Sequence, residues 1–114
     1  MSDAAPRPAQ TRAWYAKVPA NRRLLFAGRH YDDVAVTEGQ VVVRTRRGHL
    51  LLQAAAGSLE VVRVRNGLLL QLLVRDQERN THVFEFRPRR HHEGRALADA
   101  LRRVAETATS EVKQ

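Results

Sequence analysis

Over most of its length the chain consists of short apolar runs, each ended by a turn signal. From residue 23 onward about seven such runs follow one another, at a spacing of roughly 8–12 residues. They occupy residues 23–27, 34–36, 41–45, 50–54, 59–64, 68–74 and 82–86. Runs of this length and spacing are typical of antiparallel β-strands and are short for helices. The sequence therefore predicts a mainly β fold.

Alternation of side chains within the runs supports this prediction. In residues 68–74 every second residue is apolar and would face a core. The preceding pair, Asn66–Gly67, tolerates positive φ and predicts a type I′ hairpin turn. In residues 59–65 the apolar residues change face, which predicts a β-bulge at Val61–Val62.

The C-terminal region changes to a helical period. Apolar residues recur at i, i+4, i+7 and i+11, namely Leu97, Leu101, Val104 and Ala108. We therefore predict an α+β domain that is mainly β. About seven short antiparallel strands form a barrel or roll, and one C-terminal amphipathic helix caps it. Residues 14–108 form the single domain, residues 1–13 a disordered N-terminal arm, and residues 109–114 a frayed tail.

Length and composition limit the class of protein. The chain has 114 residues, enough for one domain, and contains no cysteine, which excludes disulfides and thiolate zinc sites. No apolar run approaches the roughly 20 residues that span a bilayer. The polar, proline-containing residues 1–10 do not resemble a secretory signal. We expect a cytoplasmic protein.

Charge is the most unusual property of the composition. The net charge is +8, and 18 of the 20 basic residues are arginine. One interpretation is attraction to nucleic acid, anionic lipid or an acidic protein, because the planar guanidinium matches phosphate and carboxylate groups. The other is the codon bias of a GC-rich genome, which explains why arginine replaces lysine. The sequence leaves both interpretations open.

The order of these elements resembles that of small bacterial domains of the pleckstrin-homology (PH) superfold. The resemblance covers residues 14–107 and lies in residues 23–28 as an opening strand, the glycine-punctuated runs, the closing strand at residues 84–86 and the final helix. It implies a binding scaffold and not an enzyme. PH domains that hold phosphoinositides place cations in the first hairpin loop. Asp32 and Asp33 stand there in this chain, which argues against a phosphoinositide headgroup.

Two arginine groups are candidates for anion binding. They lie on the third run and its turn and on the fifth run: Arg44, Arg46, Arg47, Arg63 and Arg65. If the two runs adjoin, the arginines form one basic patch able to neutralise several phosphates. The alternative is a solvated outer sheet face. Aromatic residues that could stack on bases are few, only Trp14, Tyr15 and Tyr31, and this scarcity argues against binding of single-stranded nucleic acid.

A protein interface is the other candidate site. Leu69 and Leu73 are apolar on the outer face of their run, so that face is either covered or a contact surface, and Trp14 and Tyr15 are further candidates. The leading hypothesis is a non-enzymatic module for protein binding or self-association. The alternative is a basic anion-binding module for nucleic acid or acidic lipid. A third is a subunit of a larger assembly, whose residues 1–18 order on a neighbour.

The sequence predicts no catalytic, metal or cofactor site. Asp32 and Asp33 are adjacent, so their carboxyls point to opposite sides of a strand and cannot work as a pair. Five histidines are present, but none has zinc-motif spacing, and His91–His92 side chains diverge at the helix entrance. The glycines stand singly at turns and form no phosphate-binding loop.

Overall fold

The computed structural model describes residues 9–22 and 31–112. Seven strands precede one long helix, with short 3₁₀ helices at Ala56–Ser58 and Pro88–Arg90. In chain order the main elements are β1 (Ala9–Val18), β2 (Tyr31–Thr37), β3 (Gln40–Arg44), β4 (Leu50–Ala55), β5 (Glu60–Arg65), β6 (Leu70–Arg75), β7 (Thr81–Phe86) and α1 (His91–Val112). The predicted mainly β domain with a C-terminal helix is confirmed.

All seven strands belong to one antiparallel sheet. Their order is β4-β3-β2-β1-β7-β6-β5, so β1 is central and β4 and β5 form the two edges. Among the described strands the sheet is therefore not closed. This arrangement of a seven-stranded sheet and a final helix is compatible with a PH-like fold. No helix in the described residues is both long enough and apolar enough to cross a bilayer.

The central strand is the element that sequence reasoning missed. β1 pairs with β2 through residues 9–14 and with β7 through residues 14–18. Residues 9–13 are thus strand, and their assignment to a disordered arm is wrong. Residues 1–8 and the predicted opening strand at residues 23–27 lie outside the described residues. At the other end, residues 109–112 belong to α1 and not to a frayed tail, while residues 113 and 114 lie outside the description.

Two hairpins show how local sequence sets the turns. Glu38 and Gly39 connect β2 to β3 with φ values of 52° and 77°, as a two-residue type I′ turn requires. The predicted hairpin at Asn66–Gly67 exists, but neither residue has a positive φ, and residues 66–69 join β5 to β6. The predicted bulge in β5 is confirmed by a register shift between Val61 and Arg63.

The main core lies between one face of the sheet and α1. It includes Leu70, Leu72, Phe84 and Phe86 from the sheet and Leu97, Ala98 and Leu101 from the helix. Helix and sheet approach closely at Gly94. A Cβ placed there would lie 2.6 Å from Leu70 Cδ2 and 2.7 Å from Phe86 Cδ1. Gly94 therefore permits this packing distance.

A smaller apolar cluster covers part of the other face. Val18, Leu73 and Val83 come from β1, β6 and β7, and all three are buried. Leu73 is only 6% exposed and Tyr15, inside the main core, only 7%. Neither side chain is available to a partner in solution, so the prediction that they lie at an exposed interface is wrong. The outer apolar face of β6 is therefore buried, in a cluster with Val18 and Val83.

Candidate functional site

Neighbouring strands bring an aromatic pair and an arginine together on the outer face. Trp14 of β1 lies directly opposite Tyr31 of β2, and the ring centroids are 5.1 Å apart at an interplanar angle of 54°. Arg87 follows β7 and places its guanidinium carbon 5.0 Å from the Trp14 centroid and 4.8 Å from the Tyr31 centroid. Both distances are within the range of cation–π attraction. We call these three residues the Trp14 cluster.

The connection between β3 and β4 adds further cations. Residues 45–49 form a tight turn, in which the Gly48 N–H donates to the Thr45 carbonyl at 2.8 Å and the Thr45 N–H to the His49 carbonyl at 2.9 Å. The His49 N–H also donates to Thr45 Oγ1 at 3.0 Å. Gly48 has a φ of 87°, which favours glycine. These bonds fix the backbone from which Arg46 and Arg47 project; we call residues 45–49 the basic turn.

The Trp14 cluster and the basic turn line one concave site of about 690 Å³. The lining side chains are Trp14, Tyr31, Asp32, Thr45, Arg46, Arg47, His49 and Arg87. All are polar or aromatic. Asp32 is buried, at 2% exposure, and is engaged in an interaction of its own. The site therefore offers guanidinium groups and aromatic rings but no aliphatic side chain.

The arginines of this site are not neutralised within the described part of the chain. Arg46, Arg47 and Arg87 are exposed, and none makes an ion pair there. Elsewhere, by contrast, Arg12 pairs with Asp33 at 3.0 Å and Arg90 with Glu93 at 3.0 Å. Three unpaired cations outnumber the single carboxyl, Asp32, that lines the same concave surface, so the local potential is positive and attracts anions.

The structure divides the arginine patch that the sequence predicted. Arg44, Arg46 and Arg47 lie at the end of β3 and in the basic turn, as expected. Arg63 and Arg65 lie on β5, and four strands separate β3 from β5 in the sheet order. Arg65 lines a separate recess of about 240 Å³. The five residues therefore do not form one patch across adjacent strands.

The residues predicted to form a protein interface do not lie together either. Trp14 is half-buried in the concave site, and Leu69 is half-buried in the connection between β5 and β6. The large apolar side chains that are well exposed in the described residues are others, namely Leu50, Leu51, Val62 and Leu68. Three of these four lie on the edge strands. The sequence signal for the first two was present, because β4 contains no charged residue.

A buried hydrogen-bond relay lies beside the core. The Tyr15 hydroxyl is 2.8 Å from His82 Nδ1, and His82 Nε2 is 2.9 Å from Asp76 Oδ2. Asp76 also accepts from the N–H groups of Glu78 at 2.9 Å and Asn80 at 3.0 Å, which closes the loop between β6 and β7. The relay thus joins β1, β7 and that loop.

The chemistry of the three groups fixes the direction of the relay. An ionised carboxylate can only accept, so His82 donates from Nε2–H to Asp76; in the neutral imidazole Nδ1 then accepts a hydrogen bond from the Tyr15 hydroxyl. Burial opposes ionisation of Asp76, but hydrogen bonds from His82, Asn80 and Glu78 outweigh it and lower the pKa of that carboxyl. Burial, with the nearby Asp76 and Asp32 charges, raises the pKa of Tyr15. The phenol stays protonated at neutral pH, which suits a structural link.

The histidines and acids do not gather into a metal centre. No group of three or more potential ligands is found among the residues described. His91 Nε2 is 3.2 Å from the Leu68 carbonyl oxygen, and His92 Nε2 is 3.9 Å from Glu93.

No protein-family model matches the chain, and comparison with curated proteins and with solved structures gave no match.

Proposed function

We propose that this protein is a non-enzymatic binding module on a PH-like scaffold, and that its concave site binds single-stranded nucleic acid. One observation carries the proposal. A half-buried Trp14 and Tyr31 lie beside three arginines, Arg46, Arg47 and Arg87, that have no ion-pair partner in the described residues. Such a ligand places the module in a compartment containing nucleic acid, and the cytoplasm is the location we propose.

The composition of the site favours this ligand over other anions. Guanidinium groups bind phosphate oxygens through paired N–H donors. Arg87 lies over the Trp14 and Tyr31 rings, and when its guanidinium turns to a phosphate the uncovered rings provide a stacking surface for unpaired bases, which contributes about 1–3 kcal/mol per base. Bases in a duplex are already stacked and paired, so they cannot use this surface. Anionic lipid would use the same arginines, and although the lining itself offers no aliphatic side chain, Leu50 and Leu51 are exposed next to the basic turn, so lipid vesicles are tested alongside the oligonucleotide.

The direct assay uses the intrinsic fluorescence of the site. Trp14 is the only tryptophan in the chain, so its emission reports on this site alone. We expect a short oligothymidylate to quench Trp14 emission saturably and duplex DNA of the same length to do so more weakly. Quenching by vesicles containing phosphatidylserine, without quenching by the oligonucleotide, would reject the nucleic-acid proposal in favour of lipid.

Two charge-matched variants separate local binding from the general effect of net charge. Arg46→Gln/Arg47→Gln removes two positive charges from the basic turn. Arg63→Gln/Arg65→Gln removes the same charge from β5, at the opposite edge of the sheet. We expect the first variant to lose most of the affinity and the second to retain it. Equal losses in both would show that binding depends on net charge and not on this site.

The salt dependence gives a quantitative expectation. Each phosphate contact to a single strand contributes about −0.7 to the slope of log K against log salt concentration. Three arginine contacts then give a slope of about −2, and a fourfold rise in salt weakens binding roughly twentyfold. Arg46→Gln/Arg47→Gln should reduce the slope to about −0.7. A slope unchanged in this variant would contradict the proposed contacts.

A further inference from the structure

The two edge strands of the sheet differ in charge, and the concave site does not account for this difference. β4 has the sequence LLLQAA, without a charged residue, in a chain of which 28% is charged. Leu50 is 48% exposed and Leu51 is 44% exposed. The opposite edge, β5, carries Glu60, Arg63 and Arg65. Charged side chains on an edge strand oppose pairing with another sheet, and β4 lacks them.

From this we infer that β4 is an interaction surface for a second copy of this chain, which pairs with it antiparallel about a two-fold axis. The two strands would join their sheets into one continuous sheet. An edge strand offers unpaired backbone N–H and C=O groups along its free side, and pairing satisfies them. A two-fold axis makes the contact self-complementary, so β4 of one copy can pair with β4 of the other.

Charge placement favours the antiparallel arrangement. The basic turn lies at the start of β4. The strand has six residues and a length of about 20 Å, so antiparallel pairing keeps the two basic turns about that far apart. This separation exceeds the Debye length of about 10 Å in 0.1 M salt. Parallel pairing would place the two turns side by side and bring Arg46 and Arg47 of both copies together.

The far end of β4 supplies charges of the opposite sign. The Ala56 N–H donates to the Gly39 carbonyl at 2.7 Å, which holds the β2–β3 turn beside the end of β4. Glu38 is exposed in that turn. Antiparallel pairing therefore places the basic turn of one copy at the same end of the contact as Glu38 of the second copy, about three strand spacings or roughly 14 Å across the joined sheet. The two copies are complementary in charge at both ends of the contact and uncharged at its centre.

The first test compares matched substitutions on the two edges. Solution mass is measured by sedimentation over a wide range of protein concentration, for the unaltered chain, Leu51→Lys and Val62→Lys. Val62 lies on β5 and is 41% exposed, so the second variant adds the same charge to the other edge. We expect the unaltered chain and Val62→Lys to be dimers and Leu51→Lys to be a monomer. Circular dichroism checks that each variant is folded.

A second measurement does not depend on weakening the contact. The chain has no cysteine, so a cysteine introduced by Gln53→Cys is its only thiol. Gln53 lies near the middle of β4, where a two-fold axis brings the two copies close together. We expect mild oxidation to give a disulfide dimer of Gln53→Cys and little of Val62→Cys. A monomeric unaltered chain at every concentration would overturn the inference, as would dissociation by Val62→Lys but not by Leu51→Lys.

Discussion

Replacement of Asp76 by alanine tests whether the buried relay anchors the loop between β6 and β7. Asp76 accepts hydrogen bonds from His82 Nε2 and from the backbone N–H groups of Glu78 and Asn80, at 2.9–3.0 Å. It also receives a longer bond of 3.4 Å from Asn80 Nδ2. Alanine removes all four acceptor contacts at once. The loop between β6 and β7 and the orientation of the His82 ring then lose their common anchor.

The expected loss of stability follows from what each donor can do afterwards. The exposed loop amides can turn to water, so their loss costs less than a full hydrogen bond. His82 is only 1% exposed, and a buried donor left without a partner costs about 1–3 kcal/mol. Together these effects give a decrease of about 2–4 kcal/mol in the free energy of unfolding. At about 4 °C per kcal/mol, the midpoint of thermal unfolding should fall by roughly 10 °C.

Urea unfolding followed by circular dichroism measures this difference at equilibrium, and its pH dependence identifies the group responsible. Because the pKa of Asp76 is lowered in the folded protein, its contribution is complete above the carboxyl pKa of the unfolded chain, about 3.9. The contribution is lost as the pH falls through the lower pKa of the folded state. The stability difference between the unaltered chain and Asp76→Ala should therefore shrink in acid.

Asp76→Asn is the matched control. Its carbonyl oxygen still accepts from the loop amides, and its NH₂ group can donate to His82 Nε2 if the imidazole takes the other tautomer. We expect a loss of about 1 kcal/mol, within the range for one hydrogen bond, and a changed ¹⁵N shift pattern of the imidazole nitrogens. A loss below 1 kcal/mol for Asp76→Ala, or an unchanged difference in acid, would refute the relay as the anchor of this loop.

Two further substitutions probe the packing around this sheet. Gly94→Ala should lower the free energy of unfolding by about 1–2 kcal/mol, because the added Cβ would lie under 3 Å from Leu70 and Phe86 and overpack the core. This loss exceeds the gain from the higher helix propensity of alanine. A higher melting temperature for the variant would contradict this packing. Tyr15→Phe should have a lower free energy of unfolding than the unaltered chain at neutral pH, and this difference should become smaller as the pH rises above about 10. Burial raises the pKa of Tyr15, so alkali favours the unfolded tyrosinate, and a constant difference in urea titrations would contradict that burial.

Six strands could be predicted from the sequence because their apolar residues alternate or their turns carry glycine. β2 to β7 coincide closely with the runs identified in the sequence, and the phase slip in β5 correctly predicted its bulge. β1 could not be predicted in this way. Its segment AQTRAWYAKV contains the β-favouring Thr11, Trp14, Tyr15 and Val18, but three alanines lie among them and prolines precede them, so no regular apolar alternation marks it as a strand. It is a strand because β2 and β7 pair with it from both sides.

The missed strand explains most of what was missed at the candidate site. The basic turn was recognised from Arg46 and Arg47, but its aromatic partners could not be assigned without β1. Trp14 meets Tyr31 only through the β1–β2 register, and Arg87 reaches both rings only because β7 is the other neighbour of β1. Residues more than fifty positions apart in the chain meet here, and no local pattern predicts such a contact. The same topology places Arg63 and Arg65 at the far edge.

The relay and the candidate site are coupled through alternation along β1. Tyr15 points into the core and hydrogen-bonds to His82, so its neighbour Trp14 must point to the outer face. A slip of one residue in the pairing of β1 would exchange the two rings and place the indole in the core. The buried hydroxyl thus selects the register that presents Trp14 beside Arg87. Substitutions that break the relay should therefore shift Trp14 emission before the protein unfolds, although Asp76 and His82 do not line the site.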